Sequence, residues 1–283
     1  MNRNEFKNEM KTRLKALQSN ELCHFAWICA VRALPFLSST TRKFTYWSES
    51  ARQKYLGHLF YVLDIASNAS IGNLSTSDEG VGLLARAIAD NAKEYDIIAF
   101  SVATAITSSF FAATRTAQED SIIADTYARQ ALEALVDAYT NASDMAHAAA
   151  VTHANTAADD YSLTEVAALD SDNMCDNFYN ILRGDFDAIR NGELDKIQHD
   201  SSLLFKKTLR NFKQDLYNTG CGYWANTYQE LYDHQFKVDT TVLKQRLAVA
   251  PQTRNEGAKT VGDYLKDRGT MLHLFRQQSL GQV

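Results

Sequence analysis

The chain contains only two prolines, Pro35 and Pro251, and twelve glycines in 283 residues. Proline breaks helices and glycine supplies tight turns. Their scarcity argues against the many short strands of a β-sandwich or barrel and permits long uninterrupted helices. Cysteine is sparse too. Cys23, Cys29, Cys175 and Cys221 include no Cys-x-x-Cys pair, so four buried free thiols in a reducing compartment are expected rather than a disulfide framework. The phosphate-binding Walker loop, Gly-x-Gly-x-x-Gly, Gly-x-Ser-x-Gly and His-Glu-x-x-His are all missing, which removes the motif-borne nucleotide, hydrolase and metalloprotease chemistries.

Long apolar runs are missing as well. The most apolar stretch, Phe25 to Leu37, is interrupted by Arg32 and Pro35 and falls short of a bilayer span. The start, Met1 to Lys15, is charged throughout, unlike a secretory signal. A cytoplasmic chain without membrane contact is expected. The net charge of −5 and pI of about 5.8 carry no footprint for nucleic acid. Locally, Lys206, Lys207, Arg210 and Lys213 have helical spacing and read as a solvated face.

What is present is helical periodicity. Hydrophobic residues make up 45% and charged residues 22%, enough apolar surface to offset the entropy of folding. A charged, amphipathic helix is expected over 2–17, and a second one capped by Asn20. In the second, Leu22, Phe25, Ala26, Cys29 and Ala33 form a core-facing stripe that Pro35 ends or bends. A third helix runs over 47–68, with Leu56, Leu59, Phe60 and Leu63 on one face. Asp78 and Glu79 then suit a helix N-terminus. Alanine-rich helices follow at about 79–92, 95–117, 120–140 and 143–157; alanine lets helix axes approach closely. Ser162 and Glu165 have capping-box spacing. Beyond them helices are expected at 171–190, 201–218, 222–236, 240–248 (N-capped by Asp239) and 256–276, with a turn at Gly220 and Gly222. The fold class is therefore all-α, an antiparallel bundle or irregular stack of about ten to twelve helices. Residues 1–160 form an alanine-rich part and 161–283 an aromatic-rich part, packed together as one unit.

Three groups of residues are candidates for more than packing. Asp144, His147, His153, Asp159 and Asp160 bring metal-ligand types together. However, His147 and His153 are six apart, so a continuous helix turns them about 120° away from each other. Arg32 and Asp64 each lie among core-type residues. A buried charge needs a partner, so they are expected to form a structural ion pair. Tyr217, Tyr223, Trp224, Tyr228, Tyr232 and Phe236 cluster near arginine and lysine, the composition of a protein-binding hot spot. Tyr217, Tyr223 and Tyr232 are the candidates to face solvent, and core packing is the competing role for the whole cluster.

The stretch "FAWICAVRALPFL" resembles the opening helix of alanine-rich all-α proteins of bacterial conflict loci, among them immunity proteins of polymorphic toxin systems. The style continues through "AHAAAVTHANTAADDYS". Later, "FYNILRGDFDAIRNG", "YWANTYQELYDHQF", "VDTTVLKQRLAVAP", Gly257 and "VGDYL" follow in a similar order. Tyr and Asn stand where the tryptophans of the second aromatic segment are expected. The resemblance implies binding to a partner protein, no cofactor and no reaction, and transfers no catalytic residue. A non-enzymatic toxin-neutralising protein is the first expectation, its acidic surface meeting a basic toxin. A metal-dependent enzyme or nucleotide-binding effector using His147, His153 and Asp159 is the second. A structural assembly component, homo-oligomeric through its helices, is the third.

Overall fold

The computed structural model describes residues 1–40, 42–73, 79–156 and 171–268, with the side chains at 79, 152–156 and 171–173 left aside. Among the described residues the secondary structure is entirely helical, without a strand. The α-helices are α1 (Arg3–Leu14), α2 (Ser19–Ala33), α3 (Glu49–Ser70), α4 (Glu79–Lys93), α5 (Ile97–Ala117), α6 (Ser121–Thr156), α7 (Ser171–Arg190), α8 (Leu203–Asn218), α9 (Gly222–Asp233), α10 (Thr240–Leu247), α11 (Pro251–Asn255) and α12 (258–268). These twelve packed helices among the described residues make an all-α stack.

Helix α2 is the central rod. From Leu22 to Ala33 every residue is buried, and α3, α5, α6 and α7 pack around it. Its start differs from expectation. The helix begins at Ser19, and the Gln18 backbone N–H donates to the Glu21 carboxylate at 2.7 Å, so the reciprocal carboxylate of a capping box closes the end two residues before Asn20. Pro35 bends the chain rather than stopping it. The next turn is a 3-10 helix, Leu34–Ser38, with proline in its first turn, where no amide donor is required.

Helices α4, α5 and α6 form the alanine-rich layer. Asp96 starts α5 by accepting from the amides of Ile98 and Ala99 at 2.9 and 3.0 Å. The expected break near 141 does not occur. Helix α6 runs unbroken for 36 residues, about 54 Å. Asn141–Ala142–Ser143–Asp144 contains no glycine or proline to stop it, and Thr140 turns its hydroxyl back onto the Val136 carbonyl at 2.8 Å. Helix α1 lies across α6, tied by Lys11–Glu133 at 2.8 Å and by Arg3 and Lys7 to Asp137, and its Phe6 stacks on Tyr179 of α7 at 4.1 Å.

Two helical stretches, Ser19–Ser38 and Ile97–Ala117, are long and apolar enough to cross a membrane, but 94% and 83% of their apolar windows are buried inside the fold. They serve as its core helices, which is compatible with a soluble chain. The aromatic half closes over them. Helix α8 packs on the 3-10 turn and α9, and α10 and α11 pack on α3. Asp239 caps α10 as expected, accepting from Thr241 and Val242. A short helix that was not expected precedes the last one. Pro251 starts the short α11, Gly257 in a positive-φ conformation (φ 110°) ends the turn after it, and α12 begins at 258. Asp78, Asp159, Asp160, Ser162 and Glu165 lie outside the described residues.

Candidate functional site

Arg32 and Asp64 are both buried, but not against each other. The Arg32 guanidinium, 1% exposed, forks onto Asp185 of α7 through Nε and Nη2 at 2.7 and 2.8 Å. It also donates to the Gln198 carbonyl and lies 4.8 Å from the Phe236 ring. Asp64 instead receives Nε and Nη2 of Arg246 on α10, at 3.0 and 2.8 Å. The expected pairing is replaced because each charge meets an opposite charge brought in by the second half of the chain. Burial raises the Asp64 and Asp185 carboxyls, against the opposing pull of the paired arginine.

The aromatic cluster divides in the same way. Trp224, Tyr228 and Tyr232 repeat every four residues and form the buried face of α9. Trp224, 2% exposed, donates from Nε1 to the Ala258 carbonyl at 2.8 Å and packs on Phe60 at 4.7 Å. Tyr228 packs on the same Phe60 at 5.2 Å. The Tyr232 hydroxyl donates to the Val31 carbonyl of α2, and its ring meets Phe205 edge-on. These three are core residues rather than contact residues, which corrects the expected surface role of Tyr232 in particular. Tyr223 is half-buried. Tyr217 alone of the six is exposed, at 48%, its hydroxyl donating to Asn226.

Tyr217 closes one end of a stripe along α8. Leu203, Lys206, Lys207, Arg210, Gln214 and Tyr217 are all exposed, at spacings that hold one helix face. Lys206, Arg210 and Lys213 line a shallow groove of about 370 Å³ between α8 and α9, where Lys213 donates to Gln229 at 2.7 Å. The one acid of α8, Asp215, is turned fully inward to accept from Arg42 Nε at 3.0 Å. The outward face is therefore cationic along its middle, with Leu203 and Tyr217 at its ends. The charge run is visible in the sequence; its framing by Leu203 and Tyr217 emerges only from the fold.

Of the metal candidates, His147 lies on α6. The His153 side chain and Asp159 lie outside the described residues. Among the described residues no three His, Cys, Asp or Glu side chains converge as a metal ion requires. None of the four cysteines is in a disulfide, and burial pushes Cys23 up to about 12. Comparison with protein families, characterised proteins and solved structures finds no match to the chain.

Proposed function

We propose that this chain is a non-enzymatic, cytoplasmic protein that binds another protein, in the manner of a toxin-neutralising immunity protein, and that the outer face of α8 is its contact surface. The observation that carries the reading is the exposed Tyr217 at the end of a lysine- and arginine-bearing stripe. Tyrosine and arginine dominate binding hot spots because they bring large contact area and several hydrogen bonds at modest entropic cost. The complementary partner face is acidic. The overall charge of −5 suits a basic partner, but the α8 face itself is cationic, and local charge governs docking.

Co-expression with the product of the neighbouring gene, followed by mass measurement in solution, tests the proposal. A stoichiometric heterocomplex is expected. Tyr217→Ala should weaken it by about thirtyfold, the effect of losing about 2 kcal/mol at a hot spot. Lys206→Glu with Arg210→Glu should slow association and reduce its salt dependence. Failure to capture any stoichiometric partner counts against the proposal. One tightly held transition metal per chain would favour the enzymatic alternative, and a homo-oligomer without a second protein would favour an assembly role.

A further inference from the structure

On the opposite side of α9 from the α8 groove lies a cleft of about 240 Å³. Trp27 of α2 and Leu63 of α3 contribute to it, with Leu231, Val238 and Val242 adding apolar wall. The polar part is unusual. The buried Asp64–Arg246 pair lines the cleft, Arg246 Nε donating to one carboxylate oxygen at 3.0 Å and Nη2 lying 2.8 Å from the other. Tyr228 also lines it, and the Tyr228 hydroxyl is buried without a hydrogen-bond partner. Such an orphan costs roughly 1–3 kcal/mol. It is a donor whose capacity the folded chain leaves unmet.

The turn that shapes the mouth is strained. Between α9 and α10, Gln235 and Phe236 both adopt the left-handed conformation, with φ of 54° and 60°. Non-glycine residues hold such a conformation at a cost of about 1–3 kcal/mol each, and strain of this kind concentrates at ligand clamps. Phe236 is fixed there by Arg32 and Tyr232 behind it. Flanking the strained pair, His234, Lys237 and Val238 line the cleft.

We propose that this cleft binds a compact, uncharged organic molecule whose carbonyl or carboxamide accepts a hydrogen bond from Tyr228. Three features select that chemistry. Burial raises the Tyr228 hydroxyl well above its ordinary range, so it is a neutral donor that seeks an acceptor. Carboxylates outnumber cations in the cleft: with the Asp64–Arg246 pair set aside, Glu230 and Asp239 stand against Lys237. An anionic acceptor is therefore disfavoured and a neutral carbonyl is not. The volume holds a ring with one polar substituent, about ten non-hydrogen atoms, by comparison with an apolar cavity of about 150 Å³ that holds benzene. The cleft is independent of the α8 face.

Fluorine NMR with fluorobenzamide and fluorobenzoate as the two probes tests it on the full chain. Fluorobenzamide should bind with Kd about 1 mM or tighter, within reach of a ligand of this size. Fluorobenzoate should bind at least about tenfold more weakly, because it adds a negative charge to the cleft. Tyr228→Phe should weaken the amide about tenfold, the loss of one hydrogen bond, and leave the urea midpoint unchanged or higher, since the hydroxyl has no partner to lose. Val242→Trp, filling the cleft in a chain that keeps its far-UV spectrum, should abolish binding of the amide. No binding of fluorobenzamide, equal binding by Tyr228→Phe, equal binding of the benzoate, or a fall in the Tyr228→Phe midpoint would each overturn the proposal.

Discussion

Breaking the buried Arg32–Asp185 pair from one side should be among the most damaging single changes available outside the apolar core. Both side chains are out of solvent, at 1% and 0% exposure. Arg32→Met leaves the Asp185 carboxylate buried without its counter-charge and removes the donor to the Gln198 carbonyl. Asp185→Val leaves a guanidinium in the same position. Removing one partner of such a pair costs about 3–5 kcal/mol, a large share of the 5–15 kcal/mol that holds a typical domain together. Replacing both with apolar side chains removes the stranded charge, and what remains is the unmet Gln198 backbone, its carbonyl without Arg32 and its amide without Asp185, at about 1–3 kcal/mol per group. The double variant should therefore be more stable than either single one. Urea denaturation of the four proteins at neutral pH, followed by far-UV circular dichroism, gives the cycle directly. Single variants losing less than about 1 kcal/mol, or a double variant whose loss equals the sum of the singles, would refute the reasoning that this pair is a mutually dependent unit.

Burial lowers the proton affinity of His24 and His58, whose rings bond the carbonyls of Ser70 and Val81. The unfolded chain then binds their protons more tightly than the folded one. Their contribution is complete above the unfolded value of about 6.5 and is lost as pH falls below it. Urea midpoints at pH about 7.5 and about 5.5 should show a fall in the wild type that His24→Gln with His58→Gln reduces; an unchanged slope would show that the two rings titrate alike folded and unfolded. Gly57→Ala should detach the end of the chain from α3. The added carbon would lie 2.7 Å from the Ala258 amide nitrogen and 3.0 Å from the Gly257 carbonyl carbon, both backbone atoms. A loss of about 1–3 kcal/mol, with altered Trp224 fluorescence because Trp224 bonds the Ala258 carbonyl, is expected; full stability would show that the backbone yields there.

Helix positions were legible in this sequence to within a few residues wherever a stripe and an end signal coincide. Residues 171–190 and the Asp239 cap are cases, since periodic apolar residues and capping side chains act locally. The partners of buried charges were not legible from charge alone. Arg32 sits in an apolar helix, which says that it needs an acid, but Asp185 lies 153 residues away. A finer signal existed. Phe178, Leu182, Asp185 and Ile189 fall on one stripe of α7, so Asp185 stands where an apolar residue belongs. Asp215, in line with Thr208 and Phe212 on α8, has the same signature. The aromatic cluster misled for a related reason. An aromatic residue every fourth position marks a helix face, and whether that face meets the core or solvent depends on what lies opposite. Phe60, Phe205 and Val31 lie opposite here, all contributed by other helices.

The two compositional halves share one core, and the charges show that neither half completes it alone. Arg32 of α2 depends on Asp185 of α7, Asp64 of α3 on Arg246 of α10, and Arg42 reaches Asp215 of α8. Phe25 meets Phe186 and Phe60 meets Trp224 across the same boundary. Residues 1–160 expressed alone would leave Arg32 and Asp64 without counter-charges in an apolar surface that α7, α9 and α10 otherwise cover. Several kcal/mol of stranded charge adds to that exposed surface and exceeds what a marginally stable fragment can lose. The fragment should aggregate or remain molten, with broad amide signals. Co-expression of 1–160 with 161–283 should restore a soluble complex of the two pieces, because all the cross-boundary partners are then supplied. A fragment 1–160 that unfolds cooperatively on its own, with dispersed signals, would show instead that the buried charges of the first half find solvent or one another, and that the second half is an addition rather than a completion.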